Sequence, residues 1–130
     1  MTKSKRNPTA VLSPAASSDI REALKWTVEK FGKRAAVRYR ALLKQALRDI
    51  EADPQRPGVQ ERPELAEGVH THHLRLSRDR ARTAVGIVNT PRHFVIYRRR
   101  DQATIEILRV LHDARDLERH LPPEYRSRLR

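Results

Sequence analysis

Compact or apolar side chains at Ile20, Ala23, Leu24, Thr27, Val28 and Phe31 recur at steps of three and four, which predicts one buried face on a helix over 15–31. Ser13 is placed to cap it, and Pro14 suits the first helical position, where its missing N–H would find no partner anyway. Gly32 ends the run. A second stripe follows at once: Ala35, Ala36, Tyr39, Leu42, Leu43, Ala46, Leu47 and Ile50, with Arg38, Gln45 and Arg48 opposite. It predicts a helix over 33–53, stopped by Asp53-Pro54 because a proline pushes its predecessor out of helical geometry. A one-residue break between two amphipathic helices favours an antiparallel hairpin. Trp26 lies off the first stripe, so it either packs into the seam between the helices or stands exposed as an anchor for a partner.

The pattern changes on both sides of the hairpin. Thr9 to Leu12 is a short β-prone stretch, and 54–68 holds three prolines and two glycines and reads as a surface loop. Strands are predicted at 69–76, at 92–99 around Phe-Val-Ile-Tyr, and at 104–112, TIEILRVLH, the innermost. Asp101-Gln102 turns the last two into a hairpin. Residues 84–88 read as a small extra strand or a flap, and 114–121 as one or two helical turns. The expectation is an α+β fold: an N-terminal strand and a two-helix antiparallel hairpin packed on an antiparallel β-sheet. Leu24, Phe31, Leu43, Leu47, Leu108 and Val110 should dominate its core.

A chain of 130 residues accommodates one domain, between a flexible basic tail at 1–8 and a basic tail at 122–130. With no cysteine there is neither a disulfide staple nor a thiolate metal site. The opening MTKSKRNPTA lacks the apolar stretch of a secretory leader, and no apolar run approaches the roughly 18–20 residues that span a bilayer. A soluble, cytoplasmic protein with no membrane partner is expected. The formal charge is +12, and eight arginines against two aspartates in 74–101 supply half of it, which points to acidic partners.

Catalytic motifs are sparse. His70, His72 and His73 share a predicted strand, but no further ligand spacing supports a metal site, and they read as partly exposed strand polars. No serine sits in a glycine-rich elbow, and four glycines supply no phosphate-cradling loop. Glu106 reads as a solvated or ion-paired strand residue. Arg98, Arg99, Arg100, Arg109 and Arg115 with His112 remain; they suit either charge stabilisation in RNA cleavage or the binding of phosphates or an acidic helix. Arg109 interrupts an apolar run and therefore needs a partner, for which Asp116 is a candidate. On a regular strand it would share a face with Ile107 and Leu111, and His112 would share the other with Leu108 and Val110. No metal, cofactor, small-molecule substrate or catalytic residue is assigned.

Three stretches, LSPAASSDIREAL, PRHFVIYR and above all IEILRVLHDARDLERHL, together resemble the ParE toxins of the RelE/ParE superfamily of toxin–antitoxin systems. The resemblance spans about Thr9 to Leu121 and implies a toxin domain over 9–121, with a strand, a helix hairpin and a three-stranded antiparallel sheet. It implies a non-enzymatic poison of DNA gyrase, silenced by a ParD-like antitoxin through an acidic C-terminal segment. Arg98, Arg99, Arg109, His112, Arg115 and Trp26 are then the candidate target- or partner-binding residues. The RelE branch cuts mRNA on the ribosome with lysines, arginines and a terminal tyrosine or histidine; here the sheet carries no lysine and no tyrosine precedes Tyr125 after the last strand. That nuclease, or a non-toxic basic module binding nucleic acid or protein, is the alternative.

Overall fold

In the computed structural model, which describes residues 7–113, the two helical stripes form the hairpin that their spacing predicts. Helix α1 spans Pro14–Phe31 and α2 spans Lys33–Ala52. The Ser13 Oγ caps α1 by accepting from the Ala16 N–H at 3.0 Å and donates to the Leu108 carbonyl at 2.9 Å, so the cap also ties the helix to the sheet. Gly32 reverses the chain in one residue at φ +94°, a conformation that side chains oppose. The helical turn read at 114–121 and most of both tails lie outside the described residues.

Five strands follow the order β1-β5-β4-β3-β2: Thr9–Leu12 (β1), Gln60–Glu61 (β2), Val69–His73 (β3), His93–Arg99 (β4) and Thr104–His112 (β5). The last three form the expected antiparallel meander, with α1 and α2 across one face in an α+β arrangement. The sheet as a whole is mixed, because β1 runs parallel to β5, Thr9 opposite Thr104 through Leu12 opposite Ile107. Parallel neighbours need a long connection, and here both helices and three strands lie between the two in sequence. Strand β2 lies inside the stretch read as loop; two exposed polar residues carry no period that could announce it. Strand β3 stops at His73, short of residue 76, because the His73 Nδ1 accepts from the Arg75 N–H at 3.1 Å and starts a 3₁₀ helix over Leu74–Arg80.

A bulge breaks the alternation expected along β5. Ile96 pairs with Arg109 and Tyr97 with Ile107, which leaves Leu108 unopposed. Ile105, Ile107 and Val110 therefore face the helices with Leu42, Ala46 and Ile50, while Leu108 and Leu111 face the other side with Leu65, Val69 and Ile96. Leu43, Leu108 and Val110 are buried as expected, and Leu24 and Leu47 pack half-buried against the core. Phe31 is not a core residue: it is 67% exposed, because the last residue of α1 sits at the tip of the hairpin. Among the described residues no helix is long and apolar enough to cross a membrane.

Strand β1 ends at Leu12, opposite Ile107, yet β5 continues to His112. Asp19 of α1 takes over that open edge: its carboxylate accepts from the Arg109 guanidinium at 2.7 and 2.8 Å and from the Val110 N–H at 2.9 Å. The partner that Arg109 needed thus comes from α1; Asp116 lies outside the described residues. Asp19→Ala is expected to cost about 2–3 kcal/mol in chemical unfolding, since it removes charge-assisted bonds and exposes an edge amide. In a double-mutant cycle with Arg109→Met, the pair should cost clearly less than the sum of the singles.

Candidate functional site

Where β3 and β5 end and β4 begins, an open cleft of about 890 Å³ lies between the helix hairpin and residues 82–90. Its floor is polar. The Tyr39 hydroxyl lies 2.5 Å from the His93 Nδ1 and accepts from the Arg92 N–H at 3.2 Å; burial pushes its pKa up to about 12, so the phenol stays protonated. The His93 ring meets His112 edge to face at 5.4 Å. Beside them, Asp113 bonds His73 at 3.0 Å and pairs with Arg92 at 3.1 Å. Burial alone would raise the Asp113 pKa, but the His73 bond and the charge of Arg92 hold it below the usual carboxylate value.

The rim is apolar. Trp26, 47% exposed, stands edge to face against Phe31 at 5.5 Å, with Val85, Ile87 and Val88 across the cleft. Packing in the helix seam does not occur: the Trp26 side chain is exposed and lines the cleft. The segment left open as strand or flap forms this far wall. It turns tightly at Thr83 and Gly86, whose φ of +103° requires glycine, and Arg38 clamps it to α2 through the Val85 carbonyl at 3.0 Å. A recess of about 420 Å³ continues past Trp26, His93 and His112 to Asp19 and Glu22.

The structure therefore brings Trp26 and His112 together, with Arg109 behind the Asp19 wall. Arg98 and Arg99 lie at the opposite end of β4, where Arg99 donates to the Asp101 and Gln102 carbonyls. Arg115 lies outside the described residues. Glu106 is ion-paired to Arg100 at 2.8 Å. Tyr39, His93 and Asp113 escaped the sequence reading because they converge from a helix, a strand start and a strand end, with no shared spacing.

The histidine run divides. His72 is buried, not partly exposed, because the adjoining 3₁₀ helix folds over it. Ser77 Oγ donates to Asp49 Oδ2 at 2.5 Å, so the His72 Nε2, 2.9 Å from the Ser77 Oγ, carries a proton and donates to that hydroxyl. Arg80 and Gln45 complete the network on Asp49. Burial alone would raise the Asp49 pKa, yet the bonds from Arg80, Ser77 and Gln45 hold it below the ordinary carboxylate value. Serine, histidine and aspartate thus meet without a nucleophile: Ser77 is wholly buried and its proton is committed to the carboxylate. The network joins α2, β3 and the 3₁₀ helix.

Burial lowers the His72 pKa from 6.5 to about 4. Between these values the unfolded chain binds a proton that the native state refuses, so stability is complete above pH 6.5 and falls as the pH drops toward 4, by about 3 kcal/mol. Denaturant titrations across pH 4–7 should show that slope and should lose it in His72→Gln; further loss below pH 3.8 belongs to Asp49. Trp26, the only tryptophan, reports on the cleft. Phe31→Ala should increase acrylamide quenching of its emission while changing stability by no more than about 0.5 kcal/mol.

Comparison with curated proteins finds no match. The family model described as "ParE toxin of type II toxin-antitoxin system, parDE" matches residues 10–117.

Proposed function

This chain belongs to the ParE toxin family of type II toxin–antitoxin systems, and we propose that it poisons DNA gyrase without chemistry of its own and is silenced by a ParD-like antitoxin. Membership makes it a toxin component with a cognate antitoxin; target and docking mode are the proposal. One observation supports a docking role over a cutting one: the cleft is rimmed by exposed Trp26 and Phe31, while two of the three arginines that line it are committed elsewhere. Arg92 pairs with Asp113 and Arg38 holds the Val85 carbonyl. A ribonuclease needs cations directed at the scissile phosphate, and here Arg82 alone borders the cleft without such a commitment among the described residues. An aromatic pair beside a cleft of this volume suits a side chain or helix of a protein partner.

Trp26 and His112 are then the contact residues in the cleft. Arg98 and Arg99, at the other end of the sheet, receive the antitoxin's acidic segment, whose approach the +12 charge accelerates. Arg109, held by Asp19 on β5, and Arg115, outside the described residues, complete the proposed contact set. The toxin acts in the cytoplasm, where gyrase and the antitoxin are.

Inducing the chain without its antitoxin, with parallel assays of plasmid supercoiling, double-strand breaks and mRNA cleavage, tests the reading. Gyrase-dependent breaks with intact mRNA are expected. Codon-specific mRNA cuts with unaltered supercoiling would move the function to the RelE-like alternative, with Tyr39, His93 and His112 as its acid–base set. Trp26→Ala should abolish toxicity and weaken partner binding by about 2 kcal/mol or more, with unfolding stability within about 0.5 kcal/mol of the parent.

A further inference from the structure

We propose that the outer face of α2 is a docking ridge for the phosphate backbone of duplex DNA, distinct from the cleft and independent of which enzyme the toxin targets. Lys33, Arg40, Lys44 and Arg48 lie on one side of the helix, all exposed, with exposed Arg34 beside them. From Lys33 to Arg48 the ridge is about 22 Å long, and its last three cations are spaced by about 6 Å, one per turn. None of the five forms an ion pair among the described residues.

The absence of acids from this face follows from where the two acids of α2 point. Asp49 is buried in the network with Ser77 and Arg80, and Glu51 accepts from the Ala10 N–H at 2.8 Å, fastening β1. Asp49 is turned into the core, while Glu51, about five turns from Lys33 on the ridge's own side, is taken up by the β1 backbone, so the exposed residues of this face from Lys33 to Arg48 include no acid. Helix α1 has no such ridge: exposed Arg21, Lys25 and Lys30 alternate with exposed Glu22 and Glu29.

The chemistry of the face selects its occupant. An acidic protein segment would bury little apolar surface there, since Val37 is the one large exposed hydrophobic residue on α2; the aromatic cleft suits a protein better. Single-stranded nucleic acid is held by bases stacked on aromatic rings, and the ridge has none. A straight row of point charges on a rigid rod matches a rigid polyanion. A helix of about 10–12 Å diameter enters the roughly 12 Å major groove of B-DNA with flanking phosphates on either side, whereas the A-form groove of duplex RNA is too narrow.

Fluorescence anisotropy of the full chain on a labelled 20-base-pair DNA duplex, over a series of salt concentrations, tests this. Each phosphate contact contributes about 0.9 to the slope of log affinity against log salt. The combined variant Lys33→Gln, Arg40→Gln, Lys44→Gln and Arg48→Gln should therefore be shallower by about 3 to 4. A charge-matched variant elsewhere, Arg21→Gln, Lys25→Gln, Lys30→Gln and Arg75→Gln, should change the slope by less than 1. Should the quadruple variant unfold, Lys44→Gln and Arg48→Gln singly should each remove about 0.9. Equal losses in the two quadruple variants would overturn the proposal in favour of diffuse charge. So would tighter binding of single-stranded DNA or duplex RNA, or a ridge-dependent preference for polyglutamate or anionic vesicles over the duplex.

Discussion

Beyond Ile107 the outer edge of β5 has no strand beside it, and the fold depends on how that edge is closed. An uncovered strand edge offers unpaired amides to any other chain. Here the closure comes from a helix: the Ser13 hydroxyl bonds the Leu108 carbonyl and the Asp19 carboxylate receives both the Val110 amide and the Arg109 side chain. These bonds fix where α1 crosses the sheet. They thereby place Trp26, two turns further along the same helix, beside His93 and His112 at the strand ends. Closure of the edge and construction of the cleft are one arrangement.

The distribution of charge follows a related economy. Acids are outnumbered in this chain, and five of those in the folded part hold particular structural positions: Asp19 at the β5 edge, Asp49 under the 3₁₀ helix, Glu51 on β1, Glu106 with Arg100, and Asp113 between His73 and Arg92. Each arginine so engaged is withdrawn from solvent chemistry. Of the cations left over, Lys33, Arg34, Arg40, Lys44 and Arg48 stand together on the exposed side of α2, so the surface potential is less even than the composition suggests. Of the three arginines that line the cleft, Arg38 and Arg92 are held by the Val85 carbonyl and by Asp113.

Cleft and ridge ask for different partners. Aromatic edges around a polar floor give a protein side chain both apolar area and hydrogen bonds, and the fixed wall at 82–90 limits what shape can enter. The ridge has charge and no cavity. In the proposed reading the protein partner takes the cleft and the polyanion takes the ridge, which are separate surfaces.

Local pattern determined the elements of this protein. The helix stripes, the Ser13-Pro14 start, the Gly32 break and the last two strands were legible because each depends on residues within one or two turns of one another, and the motif IEILRVLHDARD carried the family. Tertiary structure alone decided the rest. The parallel pairing of β1, the two-residue β2, the bulge at Leu108 and the partnership of Arg109 with Asp19, ninety positions apart, depend on which segments meet in space. The same holds for the cleft: Trp26 and His112 were singled out separately, but their meeting with Tyr39 and His93 has no counterpart in spacing. His72 shows the physical reason most directly, since alternation assigns a side chain to one face of a sheet, and only the chain folded over that face decides whether water reaches it.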